Sequence, residues 1–324
     1  MPHEGIEGKV HRTRIVVLGG ANTDIAGASD VVLVQRDSNP GRVSVSCGGV
    51  GRNVAENLAK LGCDTALVTA FGGDHNAREL RACCEEGGID VSASITCEDL
   101  PGSVYLAILD ESGDMALALS DMRALDRLTP GALRAGASEV LAGAALVVCD
   151  ANLPAPALEW VVDTATAPIV LDPVSTAKAH RAIPFLRRLA AVKCNVAEAR
   201  VLLGLSGDDS SGAATPMPAE LACGLVDAGV AIAVVTAGPA GSAVAWPGGE
   251  GHIPAPHARV VNATGAGDAF TAGFAAMLAE GGDAIAAARL GSALAALTLE
   301  SPTTVSTRIS RAAARAVMEE DGWQ

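Results

Sequence analysis

Residues 14–20 read Arg-Ile-Val-Val-Leu-Gly-Gly, a short apolar run stopped by two glycines. Such a run fits a strand buried on both faces. Runs of the same kind recur at Asp64–Ala70, Leu146–Cys149, Pro168–Leu171 and Ala231–Thr236, and segments with helical spacing lie between them, at Gly51–Leu61, Asn76–Glu86 and Pro154–Ala165. Strands alternating with helices predict βαβ units, and therefore an α/β fold whose mostly parallel sheet is covered on both sides.

Two stretches depart from that rhythm. Residues 25–47 and 95–121 contain alternating segments (VSVSC, SVYLAILD and DMALALSD) around the turn signals SNPG and ESGD. They predict hairpins inserted into the α/β body, building a small β-sheet lid over a site at the strand C-termini, where open α/β sheets bind ligands. No internal repeat or low-complexity linker divides the chain, so residues 1–13 read as a tail and 14–324 as one domain.

Composition narrows the class. With 49% hydrophobic residues the 324-residue chain is neither disordered nor, given no glycine period, collagen-like. Lys plus Arg number 23 against 37 Asp plus Glu, a net charge of −14 with no basic run, which argues against nucleic-acid polymers and anionic membrane surfaces as partners. The uncharged stretch from Ala228 to Gly249 could span a bilayer by length. Its six glycine and proline breaks between 229 and 248 fit two short strands joined by a turn instead. The N-terminus lacks the apolar core of a signal peptide, and the expectation is a cytoplasmic protein. Eight cysteines form no CxxC pair, so reduced and mostly buried thiols are expected.

The sharpest chemical motif is Asn262-Ala263-Thr264-Gly265-Ala266-Gly267-Asp268-Ala269-Phe270, followed by a helix-like segment. Glycines at 265 and 267 let backbone approach a ligand closely, and amides opening a helix form an anion hole suited to phosphate. Asp268 at that helix start can take a proton from an attacking hydroxyl, as phosphoryl transfer requires. A plain glycine turn with an N-capping Asp268 would explain the string alone. Its companions shift the balance: Asn22 and Asp24 after the first strand, Gly48 to Asn53 opening the next helix, Asn195 and Glu198 one turn apart, and Thr236 to Gly241 after another buried strand. A dinucleotide-binding GxGxxG is missing after the first strand, and so is a P-loop GxxxxGK[ST].

Taken together, the strings GGANTDIAG, SNPGRV, GGVGRNVAENLAKLG, SVYLAILDESGDM, SDM, CDANL, DPVSTAK, KCNVAEA and NATGAGDAFTAGF resemble the ribokinase-like (PfkB) family of carbohydrate and nucleoside kinases over residues 12–320. SNPG, GGVGRN and DPVS draw the resemblance toward its pseudouridine kinase group. The resemblance implies a ribokinase-like three-layer α/β sandwich with a small β-sheet lid, and an ATP- and Mg²⁺-dependent kinase for a small-molecule nucleoside. Asp268 would be the catalytic base, and the amides of Gly265, Ala266 and Gly267 the anion hole. Asn22, Asp24, Gly49 and Asn53 would hold the ribose, with Asn152 near the sugar pocket. Asn195 and Glu198 would organise Mg²⁺, its waters and the phosphates, while Thr236, Gly238 and Gly241 would line the ATP site. A K⁺ site beside the anion hole would draw on Asn262, Thr264 and Ser306. The family also suggests a homodimer through paired lids.

The sequence departs from the family at several points. Val50 stands where ribokinases carry lysine, which weighs against free ribose. Asn262 replaces a frequent Asp, weakening any K⁺ site, and Cys194 replaces a usual proline. A uracil C-nucleoside offers two N–H donors and two carbonyls, and unpaired buried partners can reject the wrong isomer strongly. Candidate readers of the base are Asn39, Ser44, Ser103, Tyr105, Asp121 and Lys178. Each also has an ordinary reading, Asn39 as a turn residue and Tyr105 as strand core among them.

Overall fold

The computed structural model describes residues 13–205 and 217–323. All but the last residue of the expected N-terminal tail therefore lies outside the described residues. In chain order the strands are β1 (Arg14–Leu18), β2 (Asn22–Ser29), β3 (Gly41–Gly48), β4 (Asp64–Val68), β5 (Ala70–Gly72), β6 (Ile95–Cys97), β7 (Val104–Leu109), β8 (Met115–Asp121), β9 (Leu146–Asp150), β10 (Ile169–Asp172), β11 (Ala191–Asn195), β12 (Ile232–Thr236), β13 (Ser242–Trp246) and β14 (Gly249–Ile253). The α-helices are α1 (Val50–Lys60), α2 (His75–Glu86), α3 (Pro130–Gly136), α4 (Ser138–Ala142), α5 (Ala155–Thr164), α6 (Thr176–Ala179), α7 (Val196–Leu202), α8 (Pro218–Asp227), α9 (Ala266–Ala279), α10 (Ala284–Leu299) and α11 (Arg311–Glu320).

Eight strands form the main sheet in the order β14-β13-β12-β11-β10-β9-β1-β4. Every pairing from β12 to β4 is parallel, and β13 and β14 add antiparallel strands at one edge. Each central strand buries alternate residues in opposite directions, as the pleat requires. Ile15, Val17, Val148 and Val234 join α1, α2, α9, α10 and α11 in one core; Val16, Leu18, Cys149 and Val235 join α3, α5, α7 and α8 in the other. This is the three-layer arrangement expected from continuous apolar runs. The uncharged Ala228–Gly249 stretch holds β12, a tight turn and β13, and among the described residues no helix is long and apolar enough to cross a membrane. All eight cysteines are free.

The hairpin segments build a second sheet, in the order β3-β2-β7-β8. Residues 95–97, read as part of the second hairpin, instead pair in parallel with β5 in a separate two-stranded sheet. That small ladder is short and isolated, and alternation alone does not reveal a partner so distant in the chain. Register partners share a face. One face of the four-stranded sheet therefore carries Asp24, Ser46, Tyr105 and Ser120, and the other Ile25, Val45, Leu106 and Leu119.

The chain leaves β1 toward β4 on one side and later enters β9 on the other. Such a switch point opens a crevice beyond the carboxyl ends of β1 and β9. The four-stranded sheet is attached there, since β2 begins four residues after β1 ends.

Candidate active site

Three neighbouring strands, β9, β10 and β11, bring charged side chains together under this crevice. Asp150 and Asp172 end β9 and β10 as direct register partners, and both are buried. Two carboxylates so placed repel one another, and each needs dedicated partners. Asp150 accepts from the Gly20 amide at 2.8 Å and from the Asn152 amide at 2.8 Å. Burial nevertheless pushes Asp150 up to about 6, with Asp172 adding to the rise. Asp172 accepts from Lys193 Nζ at 3.2 Å and from Thr271 Oγ1 at 2.8 Å. Burial would lower the Lys193 ammonium, but the Asp172, Glu198 and Asp268 carboxylates outweigh it and hold it above the ordinary lysine range.

Two helices point their N-termini at this cluster. α9 begins on Gly265, whose φ of 87° is left-handed, and a Cβ there would stand 2.0 Å from the Thr304 carbonyl oxygen. Only glycine fits both constraints. Asp268 follows in the first turn of α9, half-buried, and accepts from Asn53 Nδ2 at 2.8 Å. Burial, reinforced by Asp172, pushes the Asp268 carboxyl up to about 7, although the Asn53 bond and Lys193 pull it down. A carboxylate poised near neutrality at an amide-lined helix start is equipped to accept a proton beside a bound anion. α1 begins on Gly49, also left-handed at 99°, and delivers Asn53. Asn53 thus touches the candidate base itself, a contact that sequence spacing could not foresee.

The remaining candidates fall into groups. Asn195 caps α7, accepting from the Glu198 amide at 2.9 Å while Glu198 Oε2 accepts from the Asn195 amide at 2.9 Å. Burial and Asp172 raise the Glu198 carboxyl. Thr236 lies opposite Asn195 in the β11–β12 register and donates to the Cys194 carbonyl at 3.2 Å. Gly238 and Gly241, both with positive φ, turn the chain directly after it. Asn22 is buried and donates to Asp24 Oδ1 at 2.6 Å, and burial raises Asp24. Lys178 donates to Asn152 Oδ1. Ser103 is buried, its Oγ without a partner among the described residues, and its carbonyl accepts from the Thr23 amide at 2.9 Å.

Other candidates sit apart. Asn39 closes its own exposed turn through bonds to Val34 and Asp37. Ser44 is exposed on β3. Tyr105 shares the face of Asp24, but its hydroxyl meets the Met115 sulfur at 3.4 Å. Asp121 pairs in register with Val104, on the sheet face opposite Asp24, and is bound to Arg123 at 2.7 Å. Asn262 accepts from the Thr264 amide at 2.9 Å and donates to the Pro302 carbonyl at 3.2 Å, joining the loop before α9 to the 302–306 loop that holds buried Ser306.

The pfkB family carbohydrate kinase model matches residues 12–310. The chain belongs to the pfkB family. A pseudouridine kinase of Escherichia coli (strain K12) is 35% identical over 271 residues, covering 82% of this chain and 84% of that protein. A carbohydrate kinase from Agrobacterium tumefaciens superposes with a TM-score of 0.81 at 30% identity, covering 95% of this chain and 97% of that one. An Arabidopsis thaliana ribokinase complexed with ribose and ATP superposes with a TM-score of 0.80 at 21% identity, covering 95% and 99%. This pfkB family chain is accordingly a phosphotransferase acting on a hydroxyl group.

The cluster also holds three buried charges that sequence reading passed over: Asp150, Asp172 and Lys193. Each is a charge in an apolar strand, at the end of LVVCD and IVLD and in the middle of AVKCN. A charge in a run that must be buried on both faces is the signal that was available. Asp172, Glu198 and Asp268 all act on the single ammonium of Lys193, leaving a buried excess of negative charge. That donor chemistry fits a divalent cation. No trio of His, Cys, Asp or Glu that could hold a metal occurs among the described residues. Mg²⁺ is commonly held by one or two carboxylates together with substrate phosphates and water, which this arrangement permits.

Proposed function

We propose that this chain transfers the γ-phosphoryl group of ATP to the ribose 5′-hydroxyl of pseudouridine, giving pseudouridine 5′-phosphate. The observation that carries the reaction is the Asp268 carboxyl, half-buried at the glycine-opened start of α9, held by Asn53 and pushed up to about 7. The substrate rests on the likeness to the E. coli pseudouridine kinase and on the SNPG, GGVGRN and DPVS strings.

Asn22 and Asp24 hold the ribose hydroxyls, with Gly49 allowing the sugar to approach the backbone. Asp268 takes the proton of the 5′-hydroxyl as its oxygen attacks phosphorus, and ADP leaves. The amides of Gly265, Ala266 and Gly267 bind the transferring group, whose charge develops away from bulk water. Mg²⁺ would neutralise phosphate charge, held through Glu198 with Asn195 beside it, while Thr236, Gly238 and Gly241 line the nucleotide. Asn152 lies beside the sugar, and Lys178, bound to Asn152, forms with the unpartnered Ser103 hydroxyl the polar wall for the base. A K⁺ ion would sit between Asn262, Thr264 and Ser306.

The four-stranded sheet is the lid, its polar face toward the substrate. Its other face leaves Val43, Val45, Leu117 and Leu119 each at least 58% exposed. We assign that apolar face to a homodimer contact, expected as a two-chain species in sedimentation.

The deciding assay follows ADP release with pseudouridine, uridine, adenosine, inosine and ribose, for the native chain and Asp268→Asn. Preference for pseudouridine, with a loss on the order of 100- to 10,000-fold in the variant, is the expected result. Turnover of another acceptor, lost equally in the variant, would retain the base and replace the substrate. Full activity in the variant would remove Asp268 from its role.

A further inference from the structure

Arg52 occupies the first turn of α1, where the helix's own amides disfavour a cation, and it is only 5% exposed. Burying a guanidinium carries a large desolvation penalty that only well-paired geometry offsets. Two stability rules are thus broken at one residue, on a helix aimed at the reacting centre, and such conflicts concentrate at functional positions.

The hydrogen bonds of Arg52 form a directed chain. Its Nη2 pairs with Glu56, one turn further along α1, and stands 3.9 Å from the Cys83 sulfur. Its Nη1 donates to the Cys47 carbonyl at 2.7 Å and to Asn53 Oδ1 at 2.8 Å. Asn53 then donates through Nδ2 to Asp268 Oδ2 at 2.8 Å. An asparagine amide accepts at one end and donates at the other, whereas a guanidinium only donates. Arg52 therefore selects the amide orientation. The flipped amide would set oxygen against the Asp268 carboxylate and N–H against guanidinium, unfavourable at both ends.

We infer that Arg52 is a positioning residue for phosphoryl transfer: it locks the Asn53 amide so that an N–H donor always faces the Asp268 carboxylate. This rests on the reading of Asp268 as the base. A donor on a carboxylate favours its ionised form and fixes the direction of its lone pairs. It matters here because burial, Asp172 and Asp150 all oppose ionisation of Asp268, while Asn53 and Lys193 support it. The charged and titratable groups facing Arg52 itself are Glu56, Asp24, Cys47, Cys83 and Cys84.

The test measures kcat and KM across the pH range in which Asp268 titrates, for Arg52→Met, Arg52→Lys, Asn53→Ala and the Arg52→Met/Asn53→Ala double variant, with Asp268→Asn alongside. Arg52→Met should lower kcat on the order of ten- to a hundredfold, with little change in KM, because a misaimed base costs turnover more than binding. Its acidic limb should move to higher pH. Lysine keeps a charge for Glu56 but cannot fork to Asn53 as well, so Arg52→Lys should show a weaker form of both effects. In the Asn53→Ala background Arg52→Met should add no further loss of kcat, since both act through one contact.

An unchanged acidic limb and kcat in Arg52→Met, or losses that simply multiply in the double variant, would overturn the inference. Should Arg52→Met fail to fold, Arg52→Lys decides by the same readouts. Activity retained by Asp268→Asn would sink the base assignment instead. Loss in Asp268→Asn with untouched pH profiles in the Arg52 variants would remove the positioning role alone.

Discussion

Helix starts at the rim of the molecule differ from those at its crevice. α2, α3, α10 and α11 open on Asp74, Thr129, Asp283 and Ser310, and each side chain accepts from the amide three residues on. α1 and α9 open on Gly49 and Gly265, with no side-chain cap. The first four satisfy their own orphan amides and are complete without a ligand. The glycine-opened pair leave theirs to something else. α7 lies between the two types, because its Asn195–Glu198 capping box closes the helix with the residues proposed to organise the phosphates. α4, α5 and α6 also start without a side-chain cap, on Ala137, Pro154 and Ser175, but among the described α-helices only α1 and α9 open on a left-handed glycine, and the two meet at Asp268.

The sharpest way to break that contrast compares two glycines of nearly equal φ. Gly265 has φ 87° and a Cβ would meet the Thr304 carbonyl oxygen at 2.0 Å; Gly281 has φ 84° with nothing within 4 Å. Gly281→Ala should cost only left-handed strain, about 1–2 kcal/mol, with unchanged kinetics. Gly265→Ala must also move the anion-hole loop, and kcat should fall on the order of a hundredfold. Melting temperature and steady-state rates measured on both variants separate the two effects. Equal kinetics in both would mean that the α9 start is ordinary capping geometry.

Much of this was legible beforehand, for physical reasons. Apolar runs at 14–20, 146–149 and 231–236 are short and fit strands buried on both faces, and with helical segments between them they point to the parallel sheet. The glycines of NATGAGDAF point to close approach whatever the fold. What stayed hidden depends on three-dimensional proximity. Asp150 and Asp172 become neighbours only through the β9–β10 register. Asn53 reaches Asp268 across 215 residues of sequence, and the burial of Arg52 in the first turn of α1 shows only in the folded chain. β6 pairs with β5 rather than with the hairpin beside it, because three residues cannot declare their partner by alternation.

A smaller effect concerns what Asp268 does to the fold itself. Its carboxyl is held at about 7, against an ordinary value of 3.8. Between those limits the folded chain binds a proton that the unfolded chain has released. Stability from this group is therefore present in full below about pH 4 and lost progressively until about pH 7. Asp268→Asn removes the ionisation while keeping an acceptor for Asn53. In the absence of ligands it should be more stable than the native chain above about pH 7, by about 2–4 kcal/mol, and equally stable near pH 4. Urea titrations at the two pH extremes check this. A variant less stable at every pH would mean that the carboxylate supports the fold, and the contrast between closed and open helix starts would lose its energetic basis.

The smallest effect lies at the rim. Asp283 accepts from the Ala286 amide at 2.8 Å and closes the start of α10. Asp283→Ala should lower stability by about 1 kcal/mol, a shift of roughly 2 °C in a chain this long, and leave kcat and KM where they were. The position is a demanding control because α10 lies directly against α9. A Cβ on Gly273 would stand 2.8 Å from the Leu290 carbonyl oxygen, and one on Gly291 2.8 Å from that of Phe270. With backbones that close, a loosened α10 could tilt α9 and carry Asp268 with it. Unchanged kinetics would mean that the first turn of α9 is held by its own loop, through Gly265 and Thr304. A fall in kcat with KM preserved would instead make the α9–α10 contact part of the apparatus that aims the base, and the rim helix would no longer count as merely structural.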